Sequence, residues 1–292
     1  MKQKNILITA RNSYIGNSFA AWALTNPNYA INFISCRTDE WKRTSFANFD
    51  VILHVAGIAH VDARSDLESM YYKVNRDLTI ELAKKAKEDG VKQFIFLSSM
   101  IVFGESNSKN LNIVVTKNTL PNPSGFYGKS KLQAEQGILP LQNDHFKVVI
   151  IRPPMIYGKG SKGNFPRLVN LAKKTPIFPK VDNTRSMLYI DNLCEFIRLM
   201  IDHEESGIFH PQNKEYVNTT SLVCEIRKAL GKRIVVTNLF NPAIKLLGKK
   251  VNAVNKLFGT FIYEKEMSEY KEDYCVVGWE ESIYLSVSNL SD

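Results

Sequence analysis

The chain has 292 residues, 44% of them hydrophobic and 23% charged, with a formal net charge of +9 and a pI near 9.2. That is enough for one large α/β unit or two small domains around a real core, and it excludes a disordered or fibrous chain. The lysine excess fits a solvated surface or an anionic substrate, and no arginine-rich or aromatic-interleaved tract points to nucleic acid. Cys36, Cys194, Cys224 and Cys275 are far apart and lack metal-ligand spacing, so they read as reduced thiols of a cytoplasmic protein with no metal site. No apolar run reaches the length of a membrane span, and no integral membrane segment is expected.

Residues 5–9 are a short apolar run and predict a buried strand. The turn Ala10-Arg-Asn-Ser-Tyr-Ile-Gly16 then leads into a helix from Asn17, the place where a dinucleotide fold keeps its glycine-rich turn. Only Gly16 remains as glycine. Ala10 and Ser13 stand where glycines are expected, so Ala10 is predicted to avoid a left-handed backbone and Ser13 to crowd the pyrophosphate. Residues 30–35 predict the second strand, followed by Cys36 and Arg37, where a carboxylate for the ribose hydroxyls is usual. Thirteen residues separate Arg37 from Val51, so the third strand and its helix are short or missing. Residues 51–55 predict the next strand, with His54 as a core histidine, and Ala56-Gly57 after it allow close backbone approach to a cofactor.

Residues 66–86 predict a long amphipathic helix with Asn75, a poor helix former, in its middle. Residues 93–97 predict a strand with Ser98 and Ser99 at its carboxyl end, where open α/β sheets bind ligands. Ser99 can hydrogen-bond a reacting oxygen or simply cap a turn. The stretch Ser124-Gly-Phe-Tyr-Gly-Lys-Ser-Lys-Leu-Gln-Ala-Glu135 follows Pro121 and Pro123 and predicts a helix with Tyr127 and Lys131 on one face. A phenol titrates near pH ~10. An ammonium a few ångström away is expected to lower that value, so that the phenol can exchange a proton with a substrate hydroxyl or carbonyl. Further strands are predicted at 145–152, stopped by Pro153-Pro154, and at 185–191. Helices are predicted at 164–174, 192–201 and 221–230, and the basic segment 241–258 reads as a packed amphipathic helix.

Four segments in this order carry a family resemblance: Phe96-Leu-Ser-Ser-Met-Ile-Val-Phe-Gly104, Tyr127-Gly-Lys-Ser-Lys131, Arg152-Pro-Pro-Met-Ile-Tyr-Gly158 and Arg185-Ser-Met-Leu-Tyr-Ile-Asp-Asn-Leu193. With the N-terminal turn, the chain resembles the extended short-chain dehydrogenase/reductases that act on nucleotide sugars, the NAD-dependent epimerase/dehydratase family. The resemblance implies a Rossmann-type doubly wound parallel sheet over residues 1–160, with 176–203 returning to it, and a smaller substrate-binding region mainly in 161–292. It places Ser99 and Tyr127 at the sugar C4 oxygen, with Lys131 holding the nicotinamide ribose. The cofactor is expected against Ala10, Ser13, Tyr14, Ile15, Gly16, Arg37, Val55, Ala56, Gly57, Asn75, Lys131 and Pro154, and the UDP diphosphate against Asn164 and Arg185.

The two residues after Ser99 are Met100 and Ile101, which cannot move protons, so the 4,6-dehydratase branch is excluded. Reduction of a UDP-4-keto-6-deoxy-N-acetylhexosamine in surface-polysaccharide biosynthesis is the expected reaction. The alternative is 4-epimerisation of a UDP-hexose or UDP-N-acetylhexosamine, and a non-catalytic NADP-sensing regulator ranks third. Arg37 cannot accept a hydrogen bond but can pair with a 2′-phosphate, so NADP(H) is expected ahead of NAD(H). The helices at 66–86 and 127–139 are expected to pair in a homodimer.

Overall fold

A computed structural model describes residues 3–24, 26–59, 67–105, 112–239, 241 and 258–288. The central sheet is built from β1 (Lys4–Thr9), β2 (Tyr29–Ile34), β3 (Val51–His54), β4 (Gln93–Leu97), β6 (Lys147–Ile151) and β10 (Gly207–Phe209). These six strands lie in the order β2-β1-β3-β4-β6-β10, every pair parallel. The run Phe94–Leu97 is buried at every position, as a strand covered on both faces requires.

Alternate residues of each strand serve opposite faces. On one face Ile6, Ile8, Leu53, Ile95 and Val149 join a core with Phe19 of α1 (Tyr14–Ala23) and Leu193 and Ile197 of α7 (Ile190–Asp202). On the other, Leu7, Ile52, Phe94, Phe96 and Val148 pack with Leu82 and Ala86 of α4 (Leu78–Glu88) and Ala134 and Ile138 of α5 (Phe126–Ile138). The expected doubly wound sheet is thus present. Between β2 and β3 there is only the short α2 (Glu40–Arg43), and no strand among the described residues lies outside β2.

The predicted helix at 66–86 is a composite. α3 (Glu68–Tyr71) runs through a π-helical turn, Tyr72–Asp77, into α4, and Asp66 lies outside the described residues. The wider turn is supported by side chains: Thr79 Oγ1 donates to Asn75 O at 2.8 Å, four residues back, while the Asn75 side chain leaves the helix altogether. Single π turns of this kind collect at functional sites.

α6 (Asn164–Lys174) matches its expected bounds, and α8 (Thr219–Ala229) starts two residues earlier because Asn218 caps it, accepting from Thr220 N and Ser221 N. The strand expected at 185–191 shrinks to β9 (Met187–Tyr189), and α7 takes over at Ile190. Three small parallel pairs were not foreseen in the sequence: β7 (Met155–Tyr157) with β9, β5 (Asn112–Val115) with β12 (Thr260–Tyr263), and β8 (Ile177–Pro179) with β11 (Val235–Thr237). The helix expected at 241–258 falls, but for its two end residues, outside the described residues.

Candidate active site

The carboxyl ends of β1, β3, β4 and β6 open on one cleft of about 610 Å³. Of the residues expected to act, Ser13, Tyr14, Ile15, Val55, Gly57, Ser99, Tyr127, Lys131, Pro154, Asn164 and Arg185 line it together. Ala10 and Gly16 belong to the turn behind this wall, Ala56 and Asn75 are buried beneath it, and Arg37 is exposed beyond β2 and is not part of it.

The turn after β1 corrects one expectation. Ala10 does adopt a left-handed backbone, at φ 71°. Its amide donates to Ile34 O at 2.9 Å and its carbonyl accepts from Ser13 N at 3.0 Å, and these two bonds hold the conformation. Ser13 caps α1, its hydroxyl accepting from Gly16 N at 3.2 Å. Gly16 must be glycine for packing: a Cβ there would lie 2.8 Å from Ile8 Cγ2 and 3.2 Å from Val55 Cγ2. Ala10→Gly should raise stability by about 0.5–1 kcal/mol, the left-handed penalty of alanine less the flexibility of glycine. Urea unfolding reads this directly, and a loss of stability would contradict it.

Beneath the cleft a hydrogen-bond chain fixes every proton. The Thr79 hydroxyl hydrogen goes to Asn75 O, so Thr79 accepts from His54 Nε2–H at 2.9 Å. His54 Nδ1 then accepts from the Thr9 hydroxyl at 2.9 Å, and Thr9 Oγ1 accepts from Val55 N and Ala56 N, both at 3.1 Å. His54 is a core residue, as expected. Burial, with the Lys131 charge adding to it, pushes His54 down to about 3.

The unfolded chain protonates this histidine near pH ~6.5 while the folded chain refuses the proton, so stability falls as pH drops through that window. From pH 7 to pH 5 this one site should cost about 2 kcal/mol. Denaturant curves at the two values test it against His54→Gln, which lacks the titration. Equal losses in both chains would sink the assignment.

Asn75 ties this layer to the cleft wall. Its Oδ1 accepts from Ile58 N at 2.8 Å, and its Nδ2 donates to Ile58 O at 3.1 Å and to Ser130 Oγ at 3.2 Å. A Cβ on Gly57 would meet Asn75 Oδ1 at 3.1 Å and Lys131 Nζ at 3.4 Å, so the open space over Gly57 exists because the residue is glycine. Such a cradle fits the close approach of a flat cofactor ring and its ribose.

Ser99 caps the 3₁₀ turn Met100–Phe103, accepting from Ile101 N at 3.2 Å, and lines the cleft together with Tyr127. The turn-capping reading of Ser99 is thus observed. Tyr127 keeps an edge open to the cleft, but Tyr71 packs against its ring at 5.9 Å between centroids. Burial pushes the phenol up to about 12, with Ser99 pulling the other way.

The expected lowering by Lys131 is not present in this state. Lys131 is buried, donates to Leu97 O at 2.8 Å and lies 4.5 Å from the centroid of the Phe96 ring. Burial lowers its ammonium to about 8, against the opposing pull of Glu135. Desolvation is the largest influence on both members of the pair.

At the far wall Arg185 is anchored through its backbone, its N donating to Val217 O at 2.8 Å and its O accepting from Val217 N at 2.9 Å. Burial lowers its guanidinium to about 10. Asn164 opens α6, and Arg167, three residues on, lines the same cleft. Arg167 was missed in the sequence, although the i, i+3 spacing from Asn164 could have found it. Tyr71, Phe126 and Phe261 also line the cleft; Phe261 comes from β12, whose pattern gave no signal. Among the described residues no cluster of metal-ligating side chains occurs, and no helix is long and apolar enough to cross a membrane.

The model of the NAD dependent epimerase/dehydratase family matches residues 3–213. The UDP-glucose 4-epimerase of Vibrio cholerae is 32% identical over 286 residues, covering 93% of this chain and 84% of the relative. The N-acetyl-alpha-D-glucosaminyl-diphospho-ditrans,octacis-undecaprenol 4-epimerase of Escherichia coli O157:H7 is 30% identical over 74% of this chain and 65% of its own. Among solved structures, a dTDP-4-dehydrorhamnose reductase from Clostridium acetobutylicum and a UDP-glucuronic acid 4-epimerase from Bacillus cereus each superpose with a TM-score of 0.75. Their identities are 21% and 20%, each covers 99% of this chain, and each is itself covered in full. At that identity they establish the fold alone. On its family match and its Vibrio cholerae relative, the chain belongs to the NAD dependent epimerase/dehydratase family.

Proposed function

We propose that the protein is a C4 oxidoreductase of UDP-sugars whose net reaction is reduction of a UDP-4-keto-6-deoxy-N-acetylhexosamine. The observation that carries this is the convergence of Ser99, Tyr127 and Lys131 at the carboxyl end of β4, over the Gly57 cradle. NAD(P), when bound, supplies the hydride. Ser13, Tyr14 and Ile15 at the N-terminus of α1, with Gly57, Lys131 and Pro154, are the residues that would hold it. Ser99 hydrogen-bonds the C4 oxygen and orients it. Tyr127 gives that oxygen a proton, and burial keeps the phenol in the protonated form that reduction consumes. Met100 and Ile101 carry no titratable group, so elimination of water has no acid or base there. Asn164 and Arg185 would take the diphosphate.

A second reading, 4-epimerisation, is favoured by the likeness to the Vibrio cholerae enzyme over 93% of this chain. It needs Tyr127 as a base in its first half-reaction. The two readings separate on incubation with a UDP-4-keto-6-deoxy sugar and NADPH, following absorbance and product by NMR. One cofactor consumed per product supports reduction. Interconversion of UDP-hexoses with no net consumption supports the epimerase, and binding of NADP(H) with no turnover on any UDP-sugar would leave a regulator.

Arg37 and Arg11 are exposed near the end of β2 and in the first turn, and both offer charge to a ribose 2′-phosphate. Arg37→Asp should lower kcat/KM with NADPH by about 10–100-fold, the worth of a charge-assisted contact, and spare NADH. A wild type that prefers NADH would reverse the NADP(H) assignment.

A further inference from the structure

Behind the cleft face of α5 lies a second set of charges that the chemistry above does not use. Glu135 sits one turn past Lys131 and is 3% exposed; Arg152, at the end of β6, is 6% exposed. The carboxylate accepts from Arg152 Nη2 at 2.6 Å, from its Nε at 3.1 Å, and from the Ser98 hydroxyl. The guanidinium lies 5.0 Å from the Phe103 ring centroid, and its Nη1 is 3.5 Å from His210 Nε2. Each partner adjoins a cleft-lining segment: Ser98 precedes Ser99, Arg152 precedes Pro153 and Pro154, and Glu135 follows Lys131 on the helix. Two ions removed from water usually stabilise a fold no better than a packed apolar pair of the same size. Stability is therefore a poor reason for this arrangement, and its location offers a better one.

We propose that the buried Glu135–Arg152 pair is a positioning device for the Ser99–Tyr127–Lys131 site, locking α5 to the ends of β4 and β6. The proposal rests on the C4 reading for what the site does. The groups facing Lys131 are Tyr127 and Glu135 from α5, His54 from β3, and the Phe96 ring and Leu97 carbonyl from β4. His54 is held neutral by burial and the Tyr127 phenol stays protonated near neutrality. Arg152, the next charge, is already paired with Glu135. Glu135 is thus the one anion among them that opposes desolvation of the Lys131 ammonium.

The test uses the double variant Glu135→Gln/Arg152→Met, which removes both charges and leaves no orphan ion. NADPH binding is measured across pH 6 to 10, and kcat on the 4-keto substrate at neutral pH. The double variant should fold, and its alkaline binding limb should move toward acid. Its kcat should fall about ten-fold or more from misplacement of the site. A folded double variant with the wild-type limb and wild-type kcat overturns the proposal. The limb is read from cofactor binding alone, so it is judged apart from the UDP-sugar assignment. If the double variant does not fold, Arg152→Lys keeps the charge but loses the fork: the limb should stay in place while kcat falls, and an unchanged kcat overturns the positioning role.

Discussion

Tyr127→Phe is expected to lower kcat by about 10²–10⁴-fold, the usual worth of a positioned proton donor. The substitution removes one hydroxyl at the second residue of α5 and leaves the ring, with its edge contact to Tyr71, in place. The fold and UDP-sugar affinity should survive. The pH profile separates loss of proton transfer from a general disturbance. In the wild type, reduction needs the phenol protonated, and burial holds it so up to about 12. The Tyr127 limb of the profile should therefore be flat through neutrality, with an alkaline fall set by Lys131, whose ammonium burial lowers to about 8. An epimerase needs the phenolate first and would instead gain rate as pH rises. Retention of more than about a tenth of wild-type turnover in Tyr127→Phe, with chemistry rate-limiting, would remove the phenol from the reaction.

Arg185→Leu should raise the KM for UDP-sugar by about 10–100-fold and leave the cofactor KM nearly unchanged, since a hydrogen bond between ions is worth about 1.5–3 kcal/mol. The backbone pairing of Arg185 with Val217 does not depend on the side chain, so the variant should keep the fold. Leucine also restores apolar contact where burial disfavours the cation. Calorimetry with the UDP-sugar on folded protein reads the effect, and equal affinity in both chains would show that the guanidinium does not hold phosphate.

Much of this was legible in the residues because the relevant forces are local or periodic. The buried strands are apolar along their length, and the lack of room between Arg37 and Val51 foretold the missing strand. The i, i+4 spacing of Tyr127 and Lys131 put them on one face. What was not legible depends on tertiary contact. The left-handed Ala10 is held by hydrogen bonds to Ile34 and Ser13 that a sequence pattern does not reveal.

The π turn at Asn75 needs Thr79, and it is stabilised by His54 and Ile58 from another strand and its loop. Short strands such as β7, β10 and β12 have three or four residues, too few for alternation to register. The direction of the Tyr127 pKa shift was misjudged for one reason. The charge of Lys131 was weighed, and the desolvation of the buried phenol was not.

The claim that hydride moves to C4 is tested most directly by giving the enzyme a UDP-4-keto-6-deoxy-N-acetylhexosamine with NADPH carrying deuterium at the transferable position, and reading the product by NMR. The account predicts deuterium at C4 of the product, with one cofactor oxidised for each sugar reduced. A product without deuterium at C4, or UDP-hexoses interconverted with the cofactor unconsumed, would contradict it.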